Sequence, residues 1–258
     1  LRSPTLNTGE TIGVAERFGS DQATPSIATS LPSPWSEWLT NTAYYPIRPK
    51  DIPKIPPEVQ RALTELARQT EDLEQKVKIF RWLALRGDGS IAPLMIETLT
   101  QKYKGKALSI GEEMNMLSIA ILLGQVAAHS DEALRLLLDG SEPAYWSRDP
   151  PWRFTGSGYN PTVLAGFCIK GLMQSGSEKA KSLLDKFKSA PAGSIDPELA
   201  RHIAGAAFRF AQIRDLGLER ALDEVLSHGD TLVRYYMEWG KTDEGKQWAQ
   251  WLFEQGAR

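Results

Sequence analysis

Five large rings fall within fifteen residues of this chain. The stretch YWSRDPPWRFTGSGY, residues 145–159, carries Tyr145, Trp146, Trp152, Phe154 and Tyr159, with Arg148 and Arg153 among them. Trp, Tyr and Arg are the side chains that most often anchor an interface. They also stack on a sugar, a Pro-rich segment or a base. The prolines and glycines of the stretch predict a loop rather than a helix. Two uses of such a loop are open. The rings grip a partner, or they fold back and fill a gap between neighbouring elements, since a loop of about twenty residues needs some such anchor to be ordered. Asp149 is the one carboxylate in this aromatic setting. Burial there would raise its pKa and suit it to general acid or base work, which makes it the centre of any enzymatic site.

Other chemistry-bearing residues are sparse. His129, His202 and His228 are the only histidines, and no two have the i, i+4 spacing of metal ligands. His129 and His228 fall at expected turns or helix ends, and His202 follows Arg201 inside an expected helix. Cys168 is the single cysteine. It lies in the apolar run Val163–Ile169, where a buried structural thiol is expected and no base is in view to activate it. TGSGYNP (155–161) is glycine-rich but lacks the Lys and the preceding strand of a phosphate cradle, so it reads as a turn into a helix at Pro161. Acidic pairs such as Glu112-Glu113 and Asp223-Glu224 read as solvated helix faces. No cofactor and no metal are expected.

The charge balance narrows the partner. Net charge is −2 over 258 residues. Segment 1–56 is neutral, 57–139 is −2, 140–191 is +3 and 192–258 is −3. No stripe is basic enough to track phosphates, so a protein or peptide partner is favoured over nucleic acid. The longest apolar run, MLSIAILLGQVAA at 116–128, is shorter than the roughly 20 residues of a membrane helix, so no transmembrane segment is expected. A chain opening at Leu1 rather than Met points to a trimmed terminus or a removed leader. The expected setting is soluble, either cytoplasmic or exported to a periplasm after N-terminal processing.

The elements that must position these residues are helical. Residues 1–34 are rich in Ser, Thr, Gly and Pro and read as a tail. Residues 35–56 add Trp35, Trp38, Tyr44 and Tyr45 among prolines and read as an extended segment lying against the folded body. From Pro57 the period changes. Val59, Leu63, Leu66 and Ala67 share one helical face, and Leu73, Val77, Phe80 and Leu83 share another. No alternating strand pattern follows. The expected organisation is a tail over 1–56 and an all-α domain over 57–258, closed by an aromatic C-terminal cap at 232–258.

Four stretches line up within that domain, beginning at 78, 118, 165 and 204. Each holds an apolar helix rich in small residues, a polar turn and an amphipathic helix. The turn markers Ser90, Ser130, Ser177 and Gly217 are spaced by 40, 47 and 40 residues. The long spacing contains the aromatic stretch, which is therefore an insertion on the face where inter-repeat loops gather. SIAILLGQVAAHSDEALRLLLDG and FCIKGLMQSGSEKAKSLLDKF resemble HEAT-like helical repeats. That resemblance covers about 57–228 and implies an α-α superhelix, a short solenoid of four to five helix pairs that binds or scaffolds other proteins. Some HEAT-like proteins are base-excising DNA glycosylases, which implies as the alternative an enzyme with an aromatic cleft around Asp149. Such an enzyme would be basic along its concave face, and a net charge of −2 with only a +3 middle segment argues against it.

Overall fold

The computed structural model describes residues 31–33, 35–40, 55–154, 160–227 and 229–257. Among these residues every regular element is a helix. The one β-type pairing is an isolated bridge between Ala107 and Arg153. Most of the tail 1–56, with Tyr44 and Tyr45, lies outside the described residues.

Helix starts follow from local chemistry. α2 (Pro57–Gln69) opens on Pro57, whose missing N–H costs nothing in the first turn. It buries Val59, Leu63, Leu66 and Ala67, the four residues of the expected face. α3 (Leu73–Leu85) is capped by Asp72, which accepts the Gln75 N–H (3.1 Å). Ser130 caps α6 (Asp131–Asp139) and Ser177 caps α9 (Glu178–Lys188), each accepting an N–H three residues on. The turn at 87–90 differs from expectation. Asp88 accepts the Ser90 N–H, and a short 3-10 turn at Gly89–Ile91 leads into α4 (Ala92–Thr100). α5 (Ile110–Val126) opens on a full capping box between Ser109 and Glu112.

Two short helices appear where an extended segment and a loop are expected. α1 (Trp35–Thr40) lies in the segment read as extended, and it packs on α3 with Trp35 edge-on to Trp82 at 5.8 Å. α7 (Pro143–Arg148) opens the aromatic insertion. In both, proline stands before or at the first turn, where its fixed φ favours a helix rather than breaking one.

The apolar helices pack in series. α5 lies between α3 and α8 (Pro161–Gln174), and α8 lies between α5 and α10 (Pro197–Leu216). α4 rests on α5 and α6, α6 also touches α8, and α9 touches α8 and α10. Close approach of backbones locks this row. A Cβ on Gly124 would meet the Gly171 carbonyl oxygen at 1.8 Å, and one on Gly171 would meet the Ala120 oxygen at 2.2 Å. Beside them the Gln125 amide donates to Gln174 Oε1 (2.9 Å). Gly166 likewise lets His202 of α10 lie where a Cβ would stand. The α5–α8 pairs advance together along both helices, so α5 and α8 run in the same direction.

The C-terminal end is covered by α11 (Leu218–Ser227), α12 (Gly229–Lys241) and α13 (Asp243–Glu254). Trp239, Trp248 and Trp251 are buried there, and the Trp251 indole N–H donates to the Phe187 carbonyl oxygen at the end of α9 (2.9 Å).

Candidate functional site

The aromatic insertion divides into anchors and exposed groups. Trp146 and Trp152 are 1% and 0% exposed. Each such indole takes on the order of 200 Å² out of water, about 5 kcal/mol as an upper bound, which is enough to order the segment that carries it. The Trp146 indole N–H donates to the Gly140 carbonyl oxygen (2.7 Å), and its ring fills the space that a side chain at 140 would need. The Trp152 N–H donates to Glu113 Oε1 (3.1 Å) inside α5, and Phe154 leans on its ring at 5.1 Å. The backbone is stitched to the α4–α5 link where Arg153 N–H donates to the Lys106 oxygen (2.7 Å).

The remaining site residues are placed differently. Tyr145 and Phe154 are half-buried, while Arg148 and Arg153 are exposed. Tyr159 lies outside the described residues. Tyr145, Trp146, Arg148 and Asp149 form one wall of a groove of about 360 Å³. The end of α4, with Thr100 and Gln101, and the outer face of α6, with Arg135 and Asp139, form the others. Trp152, Arg153 and Phe154 are not among its walls. Tyr145 stands edge-on to the buried Trp146 at 4.8 Å. Burial, then the nearby Asp139, pushes its phenol pKa up, so the ring stays neutral and its O–H is kept as a donor. The groove thus has an aromatic floor and a rim of both signs, which suits a segment carrying an apolar residue between charged ones.

The arrangement supplies little for covalent or acid–base chemistry. Asp149 is exposed rather than buried, and both its oxygens meet Lys104 Nζ, at 2.7 and 2.8 Å. The environment that would have made it a general acid is therefore not there, because the two indoles turn inward and leave the carboxylate in water. The Cys168 thiol is fully buried, and burial pushes its pKa far up. His129 is exposed at the turn under Gly89, and His228 lies outside the described residues. Among the described residues no group of three His, Cys, Asp or Glu is close enough to hold a metal ion. None of their helices is long and apolar enough to cross a membrane.

Sequence reasoning missed Gln101 and Arg135. They are ordinary polar positions, one just past the end of α4 and one on α6, and nothing local marks them as facing the insertion. No family model, curated protein or solved structure matches the chain.

Proposed function

We propose that this chain is a non-catalytic scaffold: a short HEAT-like solenoid that binds a protein or peptide, alone or as a subunit of a larger assembly. The series packing of α3, α5, α8 and α10 supports the repeat reading. So does the register of the glycine contact. Gly124 and Gly171 are 47 residues apart, the same spacing as the helix caps Ser130 and Ser177, as expected when equivalent positions of successive repeats meet.

The observation that carries the binding reading is the groove beside the insertion. Tyr145 offers a half-buried ring held by a buried Trp146, and Arg148 and Arg135 stand at the rim as cationic contacts. A rigid aromatic with adjacent arginine in a concave site is the pattern of an interface anchor. The scaffold reading needs no catalytic group.

A displayed peptide library, panned against the full chain and against a Tyr145→Ser/Arg148→Glu variant, tests this. Peptides enriched on the parent are expected to lose at least tenfold in affinity for the variant. Enrichment of the same peptides on both proteins would remove the groove from the account.

A further inference from the structure

α8 and α10 bring three basic side chains to one seam and give them no acid. Lys170 lies on α8, one turn beyond Phe167, with its ammonium 4.7 Å from the centre of that ring. The Phe167 ring meets His202 of α10 at 5.8 Å. Arg209, two turns further along α10, donates to the Gln212 side-chain oxygen. All three bases are half-buried, and among the described residues none has an ion pair. Some surface cations elsewhere do: Lys104 has Asp149, and Arg214 has Asp215 and Glu244.

The seam also has donors to spare. Gln212 is 0% exposed, and its amide nitrogen has no hydrogen-bond partner. Its orientation is fixed, because turning the amide over would set its N–H groups against the guanidinium. The Lys170 ammonium and the Gln212 amide nitrogen are therefore donors without an acceptor among the described residues. Burial lowers the pKa of Lys170, and the charge of Arg209 lowers it further. Burial lowers that of Arg209 too. His202 is held down at about 4 by burial and then by Lys170. Confining unpaired like charges in a poorly solvated seam costs stability, and an anion would relieve that cost.

We propose that this seam binds one oxyanion group of a ligand, a carboxylate or a phosphate, held by Lys170 and Arg209 against a wall formed by Phe167 and His202. Two cations suit a single anionic group rather than a nucleic-acid strand, which needs a track of them. The site is separate from the groove beside α7 and does not depend on it.

Thermal unfolding and calorimetry of the full chain test the proposal. The probes are inorganic phosphate and a hexaglutamate peptide, each against sodium chloride at equal ionic strength. The expected result is a saturable rise in melting temperature with at least one probe. Lys170→Met and Arg209→Gln should each weaken that binding tenfold or more, while Lys170→Arg keeps it. A response to phosphate alone assigns the site to small phosphate-type anions, and a response to hexaglutamate assigns it to acidic segments. Without any probe, Lys170→Met should melt no lower than the parent, since it keeps the stem on Phe167 and removes the repulsion. The proposal is overturned if neither probe exceeds chloride, if both charge-removing variants bind as the parent does, or if Lys170→Met alone is strongly destabilising.

Discussion

Gly124 on α5 faces Gly171 on α8 so closely that a Cβ on the first would lie 1.8 Å from the carbonyl oxygen of the second. The contact is backbone against backbone, so no rotamer change can relieve a side chain placed there. Gly124→Ala is expected to lower stability by about 3 kcal/mol, the upper part of the range for overpacking. Gly111, near the exposed start of α5, has open space around it. Gly111→Ala is the matched control and should be neutral or slightly stabilising in a urea titration. Equal effects of the two substitutions would mean that α5 and α8 do not meet at this point.

The buried indole–carboxylate pair is the second test. Trp152→Phe keeps an aromatic ring but takes the indole N–H from Glu113, a group that is itself fully buried. The expected cost is about 1–3 kcal/mol, the usual penalty for depriving a buried acceptor of a donor. Replacing Glu113 by Gln as well should recover part of that loss in a double-mutant cycle, because a neutral amide tolerates the apolar site better than a carboxylate. Strictly additive losses would count against the pairing.

Asp149 gives the contrasting case. Its ion pair with Lys104 is exposed at both ends. Asp149→Asn should therefore change stability by less than about 1 kcal/mol, and the change should shrink further in high salt. A loss of several kcal/mol on denaturant unfolding would place this carboxylate in a buried network instead.

His202 makes stability depend on pH in a defined window. Its folded pKa is held at about 4, below the 6.5 of the free side chain, by burial and by Lys170. Between those values the unfolded chain binds a proton that the folded chain refuses. This contribution to stability is whole above pH 6.5 and is lost as the pH falls towards 4. Allowing for the water that reaches a half-buried ring, the loss is about 1–2 kcal/mol. Carboxylates titrate in both proteins, so the difference between the parent and His202→Gln across pH 7 to 4 isolates it. The parent should lose more stability than the variant on acidification, and identical pH profiles would contradict the assignment.

Much of the fold can be read from local patterns. The faces of α2 and α3, and the caps Ser130, Ser177 and Thr242, are each contained in a few neighbouring residues. α1 and α7 are not legible in this way, because a helix of six residues is too short to show a period and sits among prolines. The site is less legible than the fold. Tyr145 and Trp146 are adjacent in sequence, yet one lines the groove and the other is buried. What separates them is the backbone at Gly140 and the packing of α8, neither visible in the insertion itself. Lys170, His202 and Arg209 are spread over two helices, and only the approach of α8 to α10 makes them one cluster.

Hydrogen–deuterium exchange of the full chain, with and without a peptide selected by panning, tests the binding groove most directly. The account predicts slower exchange at 96–101, 132–139 and 143–149, the three walls of the groove, with little change elsewhere. Protection confined to other helices, or none at saturating peptide, would contradict it.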